Sequence, residues 1–398
     1  VRVLYVTPFF SPATYYGEAV ENAYRLSLGC ARLGCSVRVL ATDADGPRRT
    51  APVETGKPIL IDAGFEAIYA HRILFGALAP SLPLRLLMEV RSAEVVHLIG
   101  LNVATALPAL IACKIFNRPL VWSPGGALQP WRGDRSGLGG PTRLERMLAP
   151  RRVVMHAASE RERDACAARI PAVAIATVPY GVRIPSESIR EPREGRLRIG
   201  YAGRIEPRKA LENLIDAAAL LRDSGTSVAM TIAGEGGRRY LRLLRQRIER
   251  LGLGGEVSLI ESSLRGSARR RFFDRIDLFV LPSHQEHSAA SVAEALARGV
   301  PVIASEGTPW SALSEHGCGL WVKNDPKSLA GAIQRLAAMP LDEMGARGRD
   351  WIKRDFDWKS SARKMCDLYA ALIFQRPLPD FATTAAAVQS RHTLAPAR

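Results

Sequence analysis

Short β-branched runs alternate with stretches of helical periodicity along almost the whole chain, and no other feature restricts the fold as tightly. Strand candidates in the first half are Val1–Val6, Val37–Thr42, Glu94–Leu98, Leu120–Ser123 and Val153–Ala157. The second half offers Arg198–Ala202, Val228–Ala233, Val257–Ile260, Leu278–Leu281 and Val302–Ala304. Between them lie helical patterns: Tyr240, Leu241, Leu244, Ile248 and Leu251 share one face, and Arg242, Arg245 and Glu249 take another. Strands alternating with helices predict an α/β fold of parallel, doubly wound sheets.

A chain of 398 residues has room for two such domains. The polar stretch 185–196, with two prolines and six charges, lies near the midpoint and reads as a linker. The expected division is therefore 1–185 and 186–372. From Arg376 the sequence turns to Pro, Ala, Thr and Gln without periodicity, so 376–398 is expected to be a disordered tail.

The composition, 47% hydrophobic and 24% charged, is that of a soluble globular protein. The longest apolar run, Val103–Cys113, is too short to span a bilayer and contains Pro108. The opening residues read as a first core strand rather than a secretory leader. Six cysteines without a CxxC pair suggest reduced thiols in a cytoplasmic setting and no zinc site. No His, Asp or Glu cluster has metal-ligand spacing; Asp43 and Asp45 form a weak pair. No metal or other cofactor is expected.

The net charge is +16. Residues 1–190 hold 23 Lys and Arg against 15 Asp and Glu, and residues 191–398 hold 32 against 24. Neither half is a dedicated basic module, and a nucleic-acid partner is not expected. Phosphorylated small molecules or anionic lipid headgroups suit such a surface, as does plain solvation of arginine-rich faces.

Doubly wound sheets bind ligands beyond the carboxyl ends of their strands, so informative residues should follow strands. The strongest motif follows the strand ending at Leu281. Glu286 precedes a helix whose plausible N-cap is Ser288, and Glu294 lies eight residues on, before Gly299 and Pro301 stop the helix. A helix start here, with His287, Ser288 and Ala289, offers free N–H groups to a diphosphate. Eight residues of helix span roughly 12 Å, about the reach from a sugar across a diphosphate to a ribose. The alternative is two surface glutamates on an alanine-rich helix. A second motif runs from Arg198 through Gly203, Arg204 and Lys209. There two cations flank a loop that opens into a helix, and they could neutralise a departing diphosphate without a metal.

Together these motifs resemble those of the retaining GT-B glycosyltransferases of family 4 (glycosyl transferases group 1). Their order and separation are similar too, over nearly all of residues 1–372. The resemblance implies two Rossmann-like domains facing across a cleft. The first is implied to be the acceptor side. The second is implied to bind the nucleotide sugar and to carry a closing helix near Ser360–Phe374 that crosses back onto the first. It implies that Glu286 contacts the donor sugar, Glu294 the ribose, and Arg204 and Lys209 the diphosphate. Thr308-Pro-Trp310, Gly317-Cys-Gly319-Leu-Trp321 and Phe356-Asp-Trp358 are similar to segments that follow in the family. The loop Phe9–Gly17 resembles the one that ends in Gly-Gly and approaches the donor phosphate, with Tyr16 replacing the first glycine and Gly17 kept. Ser123–Trp131 is similar to a segment of members that build polysaccharides and O-antigen-type glycans, with Gly125 where many relatives have histidine. Tyr180 stands for the asparagine of the interdomain turn, and Lys209-Ala210 stands where Lys-Gly is usual.

The implied function is transfer of a hexose from a nucleotide-diphosphate sugar to a glycan or lipid-linked acceptor, with retention, in surface polysaccharide biosynthesis. Two alternatives remain: a sugar-nucleotide epimerase on the same framework, and a non-catalytic binding relative. His97 and His287 are candidate donor contacts or structural histidines. Residues 132–152 carry six arginines against Asp134 and Glu145, interleaved with Leu144, Met147 and Leu148. They suit peripheral contact with the inner face of the cell membrane.

Overall fold

The computed structural model describes residues 1–73, 77–101, 103–128, 143–171, 173–186, 191–192, 195–286 and 290–388. The chain forms two compact units: Val1–Gly181 together with Trp358–Arg398, and Val182–Asp357.

The first unit starts with β1 (Arg2–Phe9), α1 (Glu18–Arg32), β2 (Ser36–Thr42), β3 (Pro58–Leu60) and β4 (Glu66–Ala70). It continues through α2 (Leu82–Ser92), β5 (Val95–Ile99), α3 (Ala106–Ile115), β6 (Leu120–Ser123) and α4 (Arg143–Leu148). Then come β7 (Val153–Ala157), α5 (Glu160–Arg169) and β8 (Ala174–Thr177). After the second unit the chain returns in α12 (Trp358–Ile373) and β15 (Ala382–Thr384). The sheet order is β15-β8-β7-β6-β5-β1-β2-β4-β3. Neighbours from β8 to β4 are parallel, and the edge strands β3 and β15 pair antiparallel. β6 is buried throughout, as a strand covered on both faces must be. One face packs on α1 and α12, the other on α2, α3 and α5, and α4 lies against α3.

The second unit holds β9 (Leu197–Ala202), α6 (Leu211–Asp223), β10 (Val228–Ala233), α7 (Arg238–Arg250), β11 (Val257–Ile260) and α8 (Gly266–Arg275). It closes with β12 (Leu278–Leu281), α9 (Ala290–Ala297), β13 (Val302–Ser305), β14 (Gly319–Val322), α10 (Pro326–Ala337) and α11 (Leu341–Asp355). Its six parallel strands run β11-β10-β9-β12-β13-β14. In order of appearance this is 3-2-1-4-5-6, the doubly wound order that leaves a crevice where winding reverses. The first unit repeats the order with β4, β2, β1, β5, β6 and β7. The switch points fall between β1 and β5, and between β9 and β12.

Two expectations change. The units divide at Gly181/Val182, not at 185/186. α12 lies on the first unit, the side to which the closing helix was expected to cross, and Ala362, Met365, Leu368, Tyr369 and Leu372 pack into that unit's core. Residues 376–388 are structured: β15 extends the sheet edge beside β8, and Ala385 and Val388 bury against the apolar core. Backbone pairing and two anchors outweigh a composition that reads as disorder.

Candidate functional site

Four of the expected donor residues of the second unit, Gly203, Arg204, Lys209 and Glu286, lie on the loops at its switch point. β9 ends at Ala202 and hands over to Gly203, Arg204 and a 3-10 turn at Pro207–Lys209; β12 ends at Leu281 and hands over to Ser283 and Glu286. Lys209 Nζ donates to Glu286 Oε1. Ser283 Oγ reaches the same oxygen at 2.7 Å, and Arg208 Nη1 lies 3.9 Å from Oε2. A backbone bond ties the two loops together, His284 N donating to Arg208 O at 2.8 Å, and Glu286 N donates to Gly307 O of the loop after β13 at 3.0 Å. Both charged partners are buried, Glu286 at 5% and Lys209 at 9% exposure, so the pair sits in a setting where each charge depends on the other. Burial alone would raise the Glu286 pKa. The Lys209 ammonium, the Arg208 guanidinium and the bonds from Lys209 and Ser283 outweigh it and hold the carboxyl below its ordinary value. Glu286 is thus an ionised acceptor, able to hold a hydroxyl.

Arg204 behaves differently. Its side chain is exposed and has no ion-pair partner among the described residues, while its carbonyl accepts from Tyr201 at 2.6 Å. A free guanidinium beside a strand end is available to an anionic ligand. Gly203 is crowded rather than open. A Cβ on neighbouring Gly234 would stand 1.7 Å from the Gly203 carbonyl oxygen, so β9 and β10 can finish side by side only with glycine there.

Glu294 lies on α9, its Oε2 taken by Arg269 of α8 at 2.7 Å (Nε) and 2.6 Å (Nη2). Oε1 is 3.8 Å from Arg298 Nε. The α9 terminus is as expected, with Gly299 at φ +71° closing the helix. His287, Ser288 and Ala289 lie outside the described residues. Thr308 and Trp310 are buried, with Trp310 stacked on Phe356 at 5.3 Å and edge-on to Trp351 at 5.7 Å. That motif is core packing.

In the first unit, Gly17 ends the loop after β1 with φ +52° and leads into α1, a conformation that favours glycine. Tyr16 stacks on Phe9 at 3.6 Å, and Asp45 Oδ1 accepts from Thr14 N and Tyr15 N at 2.7 Å each. Asp43 accepts from Arg72 N at 2.9 Å and faces His71 at 2.7 Å. Both aspartates are thus engaged in holding loops.

His97 is a structural histidine, fully buried in a chain of hydrogen bonds. His156 Nε2 lies 2.8 Å from the Val178 carbonyl, which can only accept, so that nitrogen carries the proton. His156 Nδ1 then accepts from Ser123 Oγ at 2.7 Å, and Ser123 accepts from His97 Nε2 at 2.6 Å. His97 Nδ1 in turn accepts from Tyr369 of α12 at 2.6 Å, and Tyr369 lies 2.8 Å from Tyr5. Burial pushes the His97 pKa well down and that of His156 down to about 4, so both rings are neutral.

Sequence reasoning assigned no role to Ser283, Arg208 or Glu162. The last is buried, and its carboxylate accepts from Gly126 N at 2.7 Å and Ala158 N at 2.8 Å, fixing the loop after β6. A signal existed for two of them: Ser283 and Ser159 each stand three residues before a glutamate, the spacing of a capping box.

Strand order and switch-point residues together define a GT-B fold, the two-unit architecture of nucleotide-sugar glycosyltransferases. Consistent with this, the structure of Anabaena Alr3699/HepE in complex with UDP superposes with a TM-score of 0.72 at 19% identity, covering 93% of this chain and 100% of that one. Residues 185–353 match the family Glycosyl transferases group 1. Glycogen synthase of Mycobacterium tuberculosis is 28% identical over 188 residues, 46% of this chain and 44% of that protein. A GDP-mannose-dependent alpha-(1-6)-phosphatidylinositol dimannoside mannosyltransferase of the same species is 27% identical over 229 residues, 54% of this chain and 58% of that one. The chain spans about half the length of the curated relatives it matches.

Proposed function

We propose that the chain is a glycosyltransferase that takes a hexose from a nucleotide-diphosphate sugar and passes it, with retention, to a glycan or lipid-linked acceptor in surface polysaccharide synthesis. The observation that carries this reading is the buried Lys209–Glu286 pair, with Arg208 and Ser283, at the switch point between β9 and β12. The match over residues 185–353 and the UDP bound by the Anabaena protein support it.

The roles follow from charge. Cleavage of the bond between the anomeric carbon and the diphosphate oxygen leaves the electron pair on the diphosphate. Arg204 and Lys209 stabilise that charge, and no metal is needed for it. The acceptor hydroxyl attacks on the face of departure, and its proton passes to the leaving phosphate oxygen. Glu286 accepts a hydroxyl of the donor sugar, and Glu294 Oε1, the oxygen that Arg269 does not occupy, accepts from the ribose.

A thermal-shift screen against UDP-, GDP- and ADP-sugars tests the donor side, since binding to the folded state raises apparent stability. One of these classes should raise Tm in the wild type and fail to do so in Arg204→Ala. The proposal is lost if no nucleotide sugar shifts Tm at millimolar concentration. Proton NMR of the product reads the anomer; an inverted linkage would overturn retention alone.

A further inference from the structure

The outer surface of α2, α3 and α4 differs from the rest of the molecule. These helices form one layer on the first unit: α2 and α3 bury their inner faces in the same core, and α4 packs beside α3. Outward they present Leu84 and Met88, Ile111 and Ile115, and Leu144 and Met147. The pairs are spaced by three or four residues, so each falls on one stripe of its helix. Leu84, Ile115 and Met147 keep 66%, 61% and 65% of their surface in solvent. Among the described residues of the second unit the exposed large apolar side chains are scattered: Leu220, Leu243, Ile260 and Trp321 each stand on a different element, and Met339 lies between α10 and α11. A cluster of exposed large apolar side chains on a folded surface marks an interaction site, whereas scattered ones need no explanation.

Charge identifies the occupant. Arg91, Lys114, Arg143 and Arg146 are exposed on these helices. The only carboxylates on them, Glu89 and Glu145, are buried at 8% and 2%. No exposed acid therefore balances the cations on this layer. Over residues 77–152 the chain carries ten Lys and Arg against four Asp and Glu. The basic helix α7 shows the contrast: Arg245 pairs with Glu261 and Arg247 with Asp216 at 2.5 Å. Arg146 also lines a cavity of about 300 Å³ whose other walls include Trp122, Val153, Met155, Ile170 and Val173. Basic and apolar together, without acid, match an anionic lipid surface, where cations meet headgroups and apolar side chains enter the boundary below them. A nucleic acid would use the cations and leave the apolar stripes in water.

We propose that the α2–α3–α4 layer docks the protein on an anionic bilayer. It deepens the reading of the chain as a transferase with a lipid-linked acceptor, and supplies the surface by which such an acceptor is reached. Part of the basic segment from 132 lies outside the described residues; the layer stands on α2, α3 and α4 alone. Among the described residues no helix is long and apolar enough to cross a membrane, so contact here is peripheral.

Co-sedimentation of the full chain with phosphatidylcholine vesicles, with and without 30% phosphatidylglycerol, tests it. Binding should need the anionic lipid and fall steeply with salt. Arg91→Gln, Arg143→Gln and Arg146→Gln together should weaken partition about 10²-fold, from the typical contribution of a cation near such a surface. Leu84→Ser, Met88→Ser and Ile115→Ser together should weaken it at constant charge. Arg242→Gln, Arg245→Gln and Arg250→Gln on α7 serve as the control and should bind as the wild type does. Equal pelleting with neutral vesicles, no pelleting, or equal loss in the α7 variant would overturn the proposal. So would lipid-free dimerisation, seen by sedimentation velocity and abolished by the serine variant, which would make the layer an interface between copies. Nucleotide-sugar thermal shifts in the same variants keep the two readings apart, because they should be unchanged whichever way the vesicles decide.

Discussion

The strands beside both switch points carry clustered polar side chains, but the two clusters are chemically opposite. In the second unit the groups are formal charges: Lys209 against Glu286, Arg208 at 3.9 Å, and exposed Arg204. In the first unit Tyr5, His97, Ser123, His156 and Tyr369 form a neutral chain that ends on a carbonyl. A closed neutral chain has no capacity left for a ligand. It fastens α12 to the sheet, since Tyr369 is the link between helix and β5. The charged set keeps Arg204 open to solvent. Position at a strand therefore does not make a polar residue functional; an unspent charge or lone pair does.

The largest effect should come from Lys209→Ala. Removing a group that stabilises a leaving diphosphate costs about 10²-fold or more in kcat. The Tyr369→Phe enzyme, altered in the neutral chain, should keep kcat within a few-fold. Steady-state kinetics on both variants would break the contrast if the two losses were similar.

Acid should separate the units next. His156 titrates near pH 4 when folded, against about 6.5 in an unfolded chain. Between those values the unfolded state takes up a proton that the folded state refuses. Stability is therefore full above about pH 6.5 and falls as pH drops toward 4, by about 3 kcal/mol for this group, with His97 adding in the same direction. Glu286 has a lowered pKa, so its contribution is kept until pH falls below the ordinary carboxylate range. Hydrogen exchange at pH 7 and pH 5 should show β5, β6 and β7 losing protection while β9 and β12 hold theirs. Equal protection of β5–β7 at the two values would show that these histidines are not buried as neutral rings.

A smaller effect tests how the neutral chain is wired. Tyr369→Phe leaves His97 Nδ1 without its donor, and an unsatisfied buried acceptor costs about 1–3 kcal/mol. His97→Phe in the same background should cost less than it does alone, because it removes the orphaned acceptor. Urea unfolding of the four proteins measures the coupling; strict additivity would mean that the 2.6 Å contact carries no energy.

The sequence made the frame of both units legible because buried parallel strands are continuous apolar runs. All ten strand candidates are strands. β3, β4, β8, β14 and β15 escaped notice for local reasons: β3 is only three residues long, β8 is Ala-Ile-Ala-Thr, and β15 opens a stretch whose composition reads as disorder. Glu286 and Lys209 could be singled out because each follows a strand of the doubly wound sheet, where ligands bind, but their pairing with each other was not foreseen. His97 was not legible, since alternation loses its meaning where both faces of a strand are buried. The Arg269 partner of Glu294 was hidden as well; 25 residues and a strand separate them, and only the fold sets α8 beside α9.

The smallest effect sits beside Lys209. Ala210 follows Lys209 and opens α6 with φ +48° and ψ +44°, in the left-handed region where glycine is the usual residue. For an alanine that conformation costs about 1–2 kcal/mol. Ala210→Gly removes the strain, but it loosens the unfolded chain by about 0.4–1 kcal/mol and deletes a buried methyl, which costs about 0.8 kcal/mol. The three nearly cancel, so the change in stability should stay within about 1 kcal/mol. Ala210→Val makes the sum lopsided: its branched Cβ is worse suited to the left-handed region and must enter a site that is already fully buried. Its Tm should drop clearly below that of the glycine variant. Because the backbone of Ala210 holds the turn that carries Lys209, the valine variant should also lose turnover, and the glycine variant should keep it. Loss of activity in Ala210→Gly at unchanged Tm would show that the methyl itself, and not the backbone conformation, positions the lysine.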